Sequence, residues 1–306
     1  MKKQFKKMGK PRLLIIGCGD VGMRLLPLLR GRFRIFALTS QPARCAELRE
    51  AGAIPIVANL DNAASLAKLA GLAPYCVHLA PPRPEGESDI RTQNLTAILP
   101  DKSRLVYIST TGVYGDCGGA SFDETRTVRP QNARAVRRVA AEKILRGWAK
   151  RSGSCLSILR VPGIYAADRL PVERLQKGTP ALADADDVYT NHIHADDLAK
   201  MILLALFRAA PQRVYHAVDD SDLKMAAYFD LVADAFQLPR PPRLPRHELA
   251  QQVSPMLLSF MSESRRMQNQ RVKRELGMRF LYPTVTQGVD AALDSVLKNL
   301  HVKGNN

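Results

Sequence analysis

A glycine-rich turn directly after a short apolar run constrains the fold of this chain most. Residues 12–26 read RLLIIGCGDVGMRLL and place three glycines in the spacing G-x-G-x-x-G. Between a strand and a helix, the first glycine allows a tight turn, the second lets the backbone approach a pyrophosphate, and the third lets helix and strand pack closely. The alternative is a structural turn without a ligand. The predicted dinucleotide-binding residues here are Gly17, Gly19, Asp20, Val21 and Gly22.

Apolar runs and helical stretches alternate along the chain. The runs RLLIIG, RIFALTS, IPIVA, YCVHLA and RLVYIST are followed later by SCLSILRVPGIY and VYHAV. Strands that are apolar on both faces and separated by helices indicate a parallel sheet covered on both sides. The predicted fold is therefore α/β, a Rossmann-type doubly wound parallel sheet with a small C-terminal substrate lobe.

Two interruptions of this pattern predict the domain boundaries. Residues 166–187 are rich in loop-forming residues, and the helical region from residue 219 contains the proline-dense passage LPRPPRLPRHE. Such segments are expected to form a lobe over the carboxyl ends of the strands, where doubly wound sheets bind ligands. We predict a basic tail over residues 1–10, a dinucleotide-binding domain over residues 11–165 and 188–218, and a small substrate lobe over residues 166–187 and 219–300.

The charge balance of the chain favours anionic partners. The 306 residues have a formal net charge of +16, and basic residues are dense in RRMQNQRVKRELGMR near the C-terminus. Such a surface attracts phosphorylated small molecules and nucleic acid alike, but no nucleic-acid motif accompanies it. We predict an anionic or phosphorylated small-molecule substrate. Association with nucleic acid is an alternative that a steep salt dependence of binding would support.

The sequence predicts a cytoplasmic protein without a membrane partner. Its apolar runs are shorter than the roughly 20 residues of a membrane-spanning helix, and the basic N-terminal segment leads directly into the first strand. The cysteines follow no C-x-x-C spacing, which predicts reduced thiols instead of a disulfide framework or a zinc site. They are Cys18, Cys45, Cys76, Cys117 and Cys155.

The end of the second strand bears on which dinucleotide binds. An NAD site commonly has an acidic residue there for the ribose diol, whereas this chain has Thr39 and Ser40, with Arg44 as the nearest charge. This pattern favours the 2′-phosphate of NADP. NAD stays possible, because Arg44 could equally be one more exposed helix arginine. The further predicted cofactor residues are Asn59, Leu60, Leu79, Ala80, Pro81 and Pro162.

Several motifs occur in an order that is typical of one family. They are the glycine turn, STTGVYGD, FDETRTVRP, ILRVPGIY, HIHADDLA and SRRMQNQRVKRELGMRFLYPT. With them the chain resembles the extended short-chain dehydrogenases/reductases, specifically the atypical, NAD(P)-dependent epimerase/dehydratase-like branch, over nearly its whole length. The resemblance implies that Thr110, with Thr111 beside it, positions a substrate oxygen for hydride transfer.

The resemblance also implies a tyrosine acid and a lysine partner, which this chain lacks. In the pattern P-x-x-x-Y-x-x-x-K-x-x-x-E, Arg134 stands at the tyrosine position, Arg138 at the lysine position and Glu142 at the final acid. Arginine stays protonated, so Arg134 cannot act as the general acid/base. The two arginines either bind an anion in the cleft or lie on a solvated helix face that pairs with Glu142. In the second case the opposite, buried stripe is Val136, Ala140, Ile144 and Trp148.

Substrate contacts are expected from segments that approach the strand ends. We predict them at Tyr114, Arg160, Tyr165 and His192, although none of these convincingly replaces the missing acid. His192 and His194 have no third metal ligand nearby and precede an acidic helix start. We therefore predict that this pair belongs to a helix cap, and we predict no metal site.

The functional expectation follows from the resemblance. It implies an NAD(P)-binding protein similar to nucleoside-diphosphate-sugar epimerases and reductases, with hydride transfer at a carbonyl or alcohol carbon. The alternative is a non-catalytic dinucleotide-binding sensor or scaffold, which the joint loss of tyrosine and lysine favours. The oligomeric state is open, because basic residues make an apolar helix bundle at this helix doubtful. They are Arg137, Arg146, Lys150 and Arg151.

Overall fold

A computed structural model describes residues 9–304 of the chain, with side chains except at 255, 256, 260 and 296–304. The predicted basic tail, residues 1–10, lies outside the described residues apart from its last two. The strands are β1 (Arg12–Ile16), β2 (Arg34–Thr39), β3 (Ile54–Val57), β4 (Tyr75–His78), β5 (Arg104–Thr110), β6 (Ser121–Phe122), β7 (Cys155–Val161), β8 (Gly163–Tyr165), β9 (Ala181–Leu182), β10 (Tyr189–Thr190), β11 (His192–His194), β12 (Arg213–His216), β13 (Leu223–Lys224), β14 (Arg243–Leu244) and β15 (Arg266–Met267). The helices are α1 (Asp20–Leu29), α2 (Cys45–Glu50), α3 (Ile90–Thr96), α4 (Ala133–Ser152), α5 (Val172–Gln176), α6 (Ala195–Arg208), α7 (Met225–Ala235), α8 (Arg246–Gln252), α9 (Pro255–Phe260), α10 (Gln270–Leu276) and α11 (Val285–Gly304).

One seven-stranded sheet organises the fold, in the order β3, β2, β1, β4, β5, β7, β12. The paired strands from β3 to β5 are parallel, and Leu14 at the middle of β1 lies opposite Phe36 on one side and Cys76 on the other. Residues 13–16 of β1 are at most 1% exposed, as a sheet covered on both faces requires. Each of the seven strands predicted from the apolar runs is present. The predicted Rossmann-type fold is confirmed.

The strand order reverses beside β1. From β1 the chain continues to β2 and β3 on one side, and then returns to β4 and β5 on the other side. Where neighbouring strands connect in opposite directions, a crevice opens at their carboxyl ends. The glycine turn follows β1 directly and therefore lies at this crevice.

The chain divides into two compact units. The described part of the first comprises residues 9–108, 140–158 and 202–213, and that of the second comprises residues 109–139, 159–201 and 214–304. The division falls inside β5, β7 and β12. Both segments of the predicted substrate lobe, residues 166–187 and 219–300, belong to the second unit.

The second unit has an apolar core of its own. Tyr228, Phe229 and Val232 of α7 pack with Val285 and Val289 of α11, and all five are at least nine-tenths buried. Contacts of α7 with α5 and β9 extend this core. Helix α7 is thereby fixed in position, which matters because two of its aromatic residues also line a cavity.

Helix α4 buries a different face from the predicted one. Of the predicted stripe only Trp148 is fully buried, and the other three residues are half-buried. A strict series of four-residue steps turns about 40° per step on a helix with 3.6 residues per turn, so it leaves the buried face. Glu142 is 4% exposed, so the structure does not support the alternative in which Glu142 lies on a solvated face. The buried face contains Ala135, Val139, Glu142, Leu145 and Trp148.

The described residues contain free thiols and no spanning helix. Each of the five cysteines is a free thiol, and Cys18, Cys76 and Cys117 are buried. Between residues 9 and 304, no helix is both long and apolar enough to cross a bilayer.

Candidate functional site

The glycine turn between β1 and α1 has the geometry that a pyrophosphate site requires. Gly17 has a φ of +82°, and a Cβ atom there would lie 2.8 Å from the backbone nitrogen of Ala80. At Gly19 an added Cβ atom would meet no described atom within 4 Å, so this side of the turn faces open space. Helix α1 begins immediately afterwards, which brings the unpaired amide groups of a helix N-terminus to the turn.

A cavity of about 380 Å³ opens at this turn, within the first unit. It brings together the ends of β1, β2, β3 and β4, which the sequence alone places far apart. Ten of the fourteen predicted cofactor residues line it, namely Gly17, Gly19, Thr39, Ser40, Arg44, Asn59, Leu60, Leu79, Ala80 and Pro81.

Four predicted cofactor residues do not line this cavity. Asp20, Val21 and Gly22 form the first turn of α1, where Gly22 allows close packing: a Cβ atom there would lie 2.9 Å from Sγ of Cys18. Pro162 lines a different cavity, in the second unit. Sequence reasoning missed five lining residues, most of them neighbours of predicted ones, and Arg91 of α3 had no local signal at all. They are Cys18, Leu38, Gln41, Ala58 and Arg91.

Arg44 closes one edge of the first cavity. Its Nη1 donates a hydrogen bond of 2.6 Å to the carbonyl oxygen of Cys18 in the glycine turn. Its Nε and Nη2 donate to the two carboxylate oxygens of Glu47 at 2.9 and 3.0 Å. The hydrogen bonds to Glu47 raise the pKa of Arg44. A fixed positive charge therefore stands beyond Thr39 and Ser40, where an NAD site commonly has an acid.

Arg91 supplies a second guanidinium group to the same cavity. It donates to both carboxylate oxygens of Asp61 at 2.9 and 2.7 Å, and to the carbonyl oxygen of Pro81 at 3.1 Å. The pairing lowers the pKa of Asp61 and raises that of Arg91. The Arg91 guanidinium therefore links the loop after β4 to the loop after β3, and both loops line the cavity.

A second cavity, of about 640 Å³, lies within the second unit. Part of its wall is apolar and aromatic, with Met225, Tyr228 and Phe229 of α7. Such a wall suits the ring of a sugar or a base, because polar atoms alone would not cover their faces. The predicted site residues that line it are Thr110, Thr111, Arg134, Arg138, Pro162, Tyr165 and His192.

The second cavity is strongly basic. Of the charged residues that line it in the described chain, five are arginines and one is a glutamate. Sequence reasoning identified two of the arginines and missed the other three. Arg169 and Arg174 come from a segment without a recognisable motif, and Arg265 lies in a motif to which no site role was assigned. The charged lining residues are Arg134, Arg138, Arg169, Arg174, Arg265 and Glu263.

Arg134 and Arg138 belong to a coupled group of charges at the start of α4. Burial lowers the pKa of Arg134, Glu263 raises it, and the positive charges of Arg138 and Arg265 lower it further. The carboxylate of Glu263 is 9% exposed and is held by Arg265 and by Nδ2 of Asn132 at 3.2 Å. Arg134 thus lies near one negative charge, that of Glu263, and near two positive charges, those of Arg138 and Arg265.

Tyr114 and Arg160, which are predicted to contact substrate, do not line either of these cavities. The hydroxyl of Tyr114 lies 2.6 Å from Nε2 of His216 and accepts a hydrogen bond of 2.7 Å from Nη1 of Arg160. The Arg160 guanidinium also lies over the Tyr114 ring, 4.8 Å from its centroid. Burial lowers the pKa of His216 to about 3. Polar groups in the core need such partners, and these residues satisfy one another there.

The basic run near the C-terminus is largely neutralised inside the second unit. Four of its cations pair with carboxylates outside the run, and one of these, Glu263, lies only two residues before Arg265. This arrangement does not favour the nucleic-acid alternative. The pairs are Arg265 with Glu263, Arg266 with Asp222, Arg271 with Glu124, and Lys273 with Asp220.

Comparisons with known proteins agree with this architecture. A sequence model of the NAD dependent epimerase/dehydratase family matches residues 13–217. The chain belongs to this family. A search of the curated proteins finds no match.

Several solved structures superpose over nearly the whole chain. A functionally unknown conserved protein from Silicibacter pomeroyi is 27% identical, with a TM-score of 0.78 over 94% of this chain and 99% of that one. UDP-glucose 4-epimerase from Thermotoga maritima, solved with UDP-glucose, is 16% identical, with a TM-score of 0.75 over 94% and 99% of the chains. dTDP-glucose 4,6-dehydratase from Streptomyces venezuelae, solved with NAD, is 19% identical, with a TM-score of 0.74 over 94% and 97%. At these identities the last two show a shared fold.

The epimerase/dehydratase family context makes the missing acid the central chemical question. Burial raises the pKa values of Tyr165 and Tyr228 above the usual range of a phenol, and it lowers the pKa of His192 to about 4. The hydroxyl of Tyr165 donates to the carbonyl oxygen of Thr284 at 3.3 Å. These three cavity residues therefore keep their neutral forms near neutral pH.

The histidine and aspartate residues around β11 and α6 serve the backbone. Nδ1 of His194 accepts a hydrogen bond of 3.2 Å from the amide of Asp196 at the start of α6. The carboxylate of Asp197 is fully buried and accepts hydrogen bonds of 2.7 and 2.9 Å from the amides of Leu281 and Tyr282. The described residues contain no cluster of three or more side chains that could hold a metal ion.

Proposed function

We propose that this protein binds a nicotinamide dinucleotide at the glycine turn and acts on a carbonyl or alcohol carbon of an anionic substrate in the second cavity. One observation carries the proposal: Thr110, Thr111, Arg134 and Arg138, at the positions where the family has its reacting groups, line one cavity. Family membership and the likeness to solved sugar-nucleotide epimerases and dehydratases support a nucleoside-diphosphate sugar or a related phosphorylated compound as the substrate class.

The first cavity fits a dinucleotide. Gly19 leaves room that a side chain would fill, and the N-terminus of α1 offers amide donors for phosphate oxygens. When bound, the dinucleotide supplies or accepts the hydride. The position of Arg44 beyond Thr39 and Ser40 favours NADP over NAD, because a guanidinium matches the 2′-phosphate and no acid stands there to hold the ribose diol.

Thr110 and Arg134 take complementary parts in this proposal. The Thr110 hydroxyl accepts a hydrogen bond of 3.3 Å from the amide of Gly112, which leaves its own proton to donate to a substrate oxygen. The Arg134 guanidinium stabilises negative charge on that oxygen but keeps its protons. Proton exchange then falls to water, and turnover is expected to be slower than with a phenol in this position.

A non-catalytic dinucleotide sensor is the second candidate function. It is favoured by the pKa values of the cavity residues, since burial keeps Tyr165, Tyr228 and His192 in their neutral forms. A protein that only reports dinucleotide and ligand occupancy needs binding groups and no proton donor.

Calorimetric titration of the full chain with NADPH and, separately, NADH tests the proposal first. We expect both to bind and NADPH to bind more tightly. Binding of neither dinucleotide would overturn the proposal, because the glycine turn would then be a structural feature only.

The double substitution Arg134→Tyr with Arg138→Lys separates the enzyme from the sensor. Hydride transfer is followed by the absorbance of the reduced nicotinamide, with sugar nucleotides and generic carbonyl compounds as substrates. The enzyme proposal expects measurable transfer by the original chain and faster transfer by the double variant. No transfer by the original chain, with a gain in the double variant, would establish the sensor. Arg137→Tyr is the matched control, because Arg137 lies on the same helix and does not line the cavity.

A further inference from the structure

Four of the five arginines of the second cavity, all except Arg169, divide into two groups. Arg134 feels the charges of Glu263, Arg138 and Arg265, and all four residues line the cavity. Arg174 of α5 stands apart from them: burial lowers its pKa, and no charged neighbour contributes to that shift. Arg174 on α5 is therefore a basic residue of the wall outside the group around Arg134.

Arg174 is held in place but not neutralised. Its Nη2 donates a hydrogen bond of 2.5 Å to the carbonyl oxygen of Pro180, and its guanidinium lies over the Phe229 ring, 4.5 Å from the centroid. Its Nε and Nη1 are buried and reach no acceptor in the described part of the chain. A buried guanidinium without a counter-ion costs folding free energy that a leucine or methionine would avoid.

Arg243 is a useful comparison, because it lies in the same unit and pairs with a carboxylate of the chain. It is also half-buried, and its Nη2 lies 2.5 Å from the carboxylate of Asp230. A counter-ion is thus supplied for Arg243 by α7, and Arg174, beside the same helix, receives none. The difference indicates that the counter-ion of Arg174 comes from outside the chain.

We propose that the second cavity binds a ligand with two separated anionic groups, one at Arg134, Arg138 and Arg265 and the other at Arg174. This inference rests on the proposed function, in which that cavity holds the substrate. The shared chemistry of the two groups is that of a phosphate or a carboxylate, both of which fit a guanidinium fork. The same cavity is also lined by the aromatic side chains of Tyr228 and Phe229, and an aromatic wall suits a sugar ring. The substrate class is therefore a sugar phosphate or sugar nucleotide with a second acid group.

Calorimetry on the full chain with glucose 6-phosphate, glucose 1,6-bisphosphate and glucuronic acid 1-phosphate tests the inference. We expect the two compounds with two acid groups to bind at least about tenfold more tightly than the monophosphate, because each adds a charge-assisted hydrogen bond. A larger gain with the bisphosphate than with the uronic acid identifies a phosphate at Arg174, and the reverse identifies a carboxylate. If neither compound binds more tightly than the monophosphate, the inference is overturned. Inorganic pyrophosphate controls for charge alone, and an equal gain with it would also overturn the inference.

Arg174→Gln is expected to abolish the advantage of the second acid group while leaving the affinity for the monophosphate within about twofold. Lys177→Gln is the matched control, since Lys177 caps the same short helix, pairs with Glu173 and does not line the cavity. Arg174→Met, which keeps the length of the side chain over Phe229, should have the same effect on binding without lowering the midpoint of thermal unfolding. An unchanged advantage in both Arg174 variants would refute the assignment of Arg174.

Dinucleotide binding is measured in the same samples, so the two proposals can fail separately. Loss of the two-anion advantage with NADPH still bound refutes this inference alone. Absence of dinucleotide binding refutes the proposed function and leaves the anion measurement interpretable.

Discussion

Arg44 is expected to decide between NADPH and NADH. It donates to Glu47 and to the carbonyl oxygen of Cys18 at the edge of the first cavity. A guanidinium that binds a phosphate gains charge-assisted hydrogen bonds worth about 1.5–3 kcal/mol, whereas the exposed pair with Glu47 contributes little. A 2′-phosphate should therefore replace Glu47 as the partner of Arg44, and most of the free energy of the new charge-assisted hydrogen bonds should contribute to NADPH binding. Arg44→Gln should weaken NADPH binding by about 1–2 kcal/mol, which is about five- to thirtyfold.

The assay is calorimetric titration of each variant with both dinucleotides. NADH has no 2′-phosphate, so its affinity should change by less than about twofold in Arg44→Gln. Glu47→Gln is the companion variant: it removes the competing carboxylate and should strengthen NADPH binding by at most about threefold. Equal losses of NADPH and NADH affinity in Arg44→Gln would refute the reasoning, because they would show that Arg44 only supports the glycine turn through Cys18.

Two further predictions concern stability and the glycine turn. Burial raises the pKa of Asp219 to about 7, so the folded chain retains a proton that the unfolded chain releases near pH 4, and stability falls as the pH rises from about 4 to 7. Asp219→Asn should remove this loss. We expect the free energy of unfolding to rise by up to about 4 kcal/mol at pH 8, and this gain should shrink toward zero near pH 4. Urea denaturation at both pH values measures the gain, and a gain independent of pH would contradict the assigned cause. Gly17→Ala should lower the unfolding midpoint, because its Cβ atom would lie 2.8 Å from the Ala80 nitrogen at a positive φ, whereas Gly19→Ala should keep the midpoint and weaken dinucleotide binding. Equal unfolding midpoints for the two alanine variants would show that the turn is not constrained as described.

The sheet and the first cavity could be predicted because their signals are local. Continuous apolar runs identify strands that are buried on both faces, and the glycine spacing fixes a turn whose steric demands are the same wherever it occurs. Residues beside the predicted strand ends, such as Asn59 and Pro81, line the cavity because parallel strands end at one edge of the sheet. Arg91 lines it as well, but only because it pairs with Asp61, thirty positions earlier in the chain.

The second cavity could be predicted only in part, because tertiary packing decides where its side chains point. Arg134 and Arg138 were placed by the family pattern, whereas Arg174 and Glu263 come from segments without a motif. Tyr114 shows the opposite case: its motif was recognised, yet its hydroxyl turns into the core toward His216. The direction of the Tyr114 side chain depends on His216, which lies about a hundred positions later in the chain, and a single sequence does not identify such a partner.

The arginine walls of the second cavity change what a pH titration of this protein would report. Guanidinium groups hold their charge across the pH range in which proteins are folded, so the positive charge of these arginines does not vary with pH. Between about pH 5 and 9, the ionisation of the ligand itself then governs how its affinity varies. A phosphate monoester gains its second charge near pH 6, whereas a carboxylate is already fully ionised there. A plot of ligand affinity against pH would thus distinguish a phosphate ligand from a carboxylate ligand.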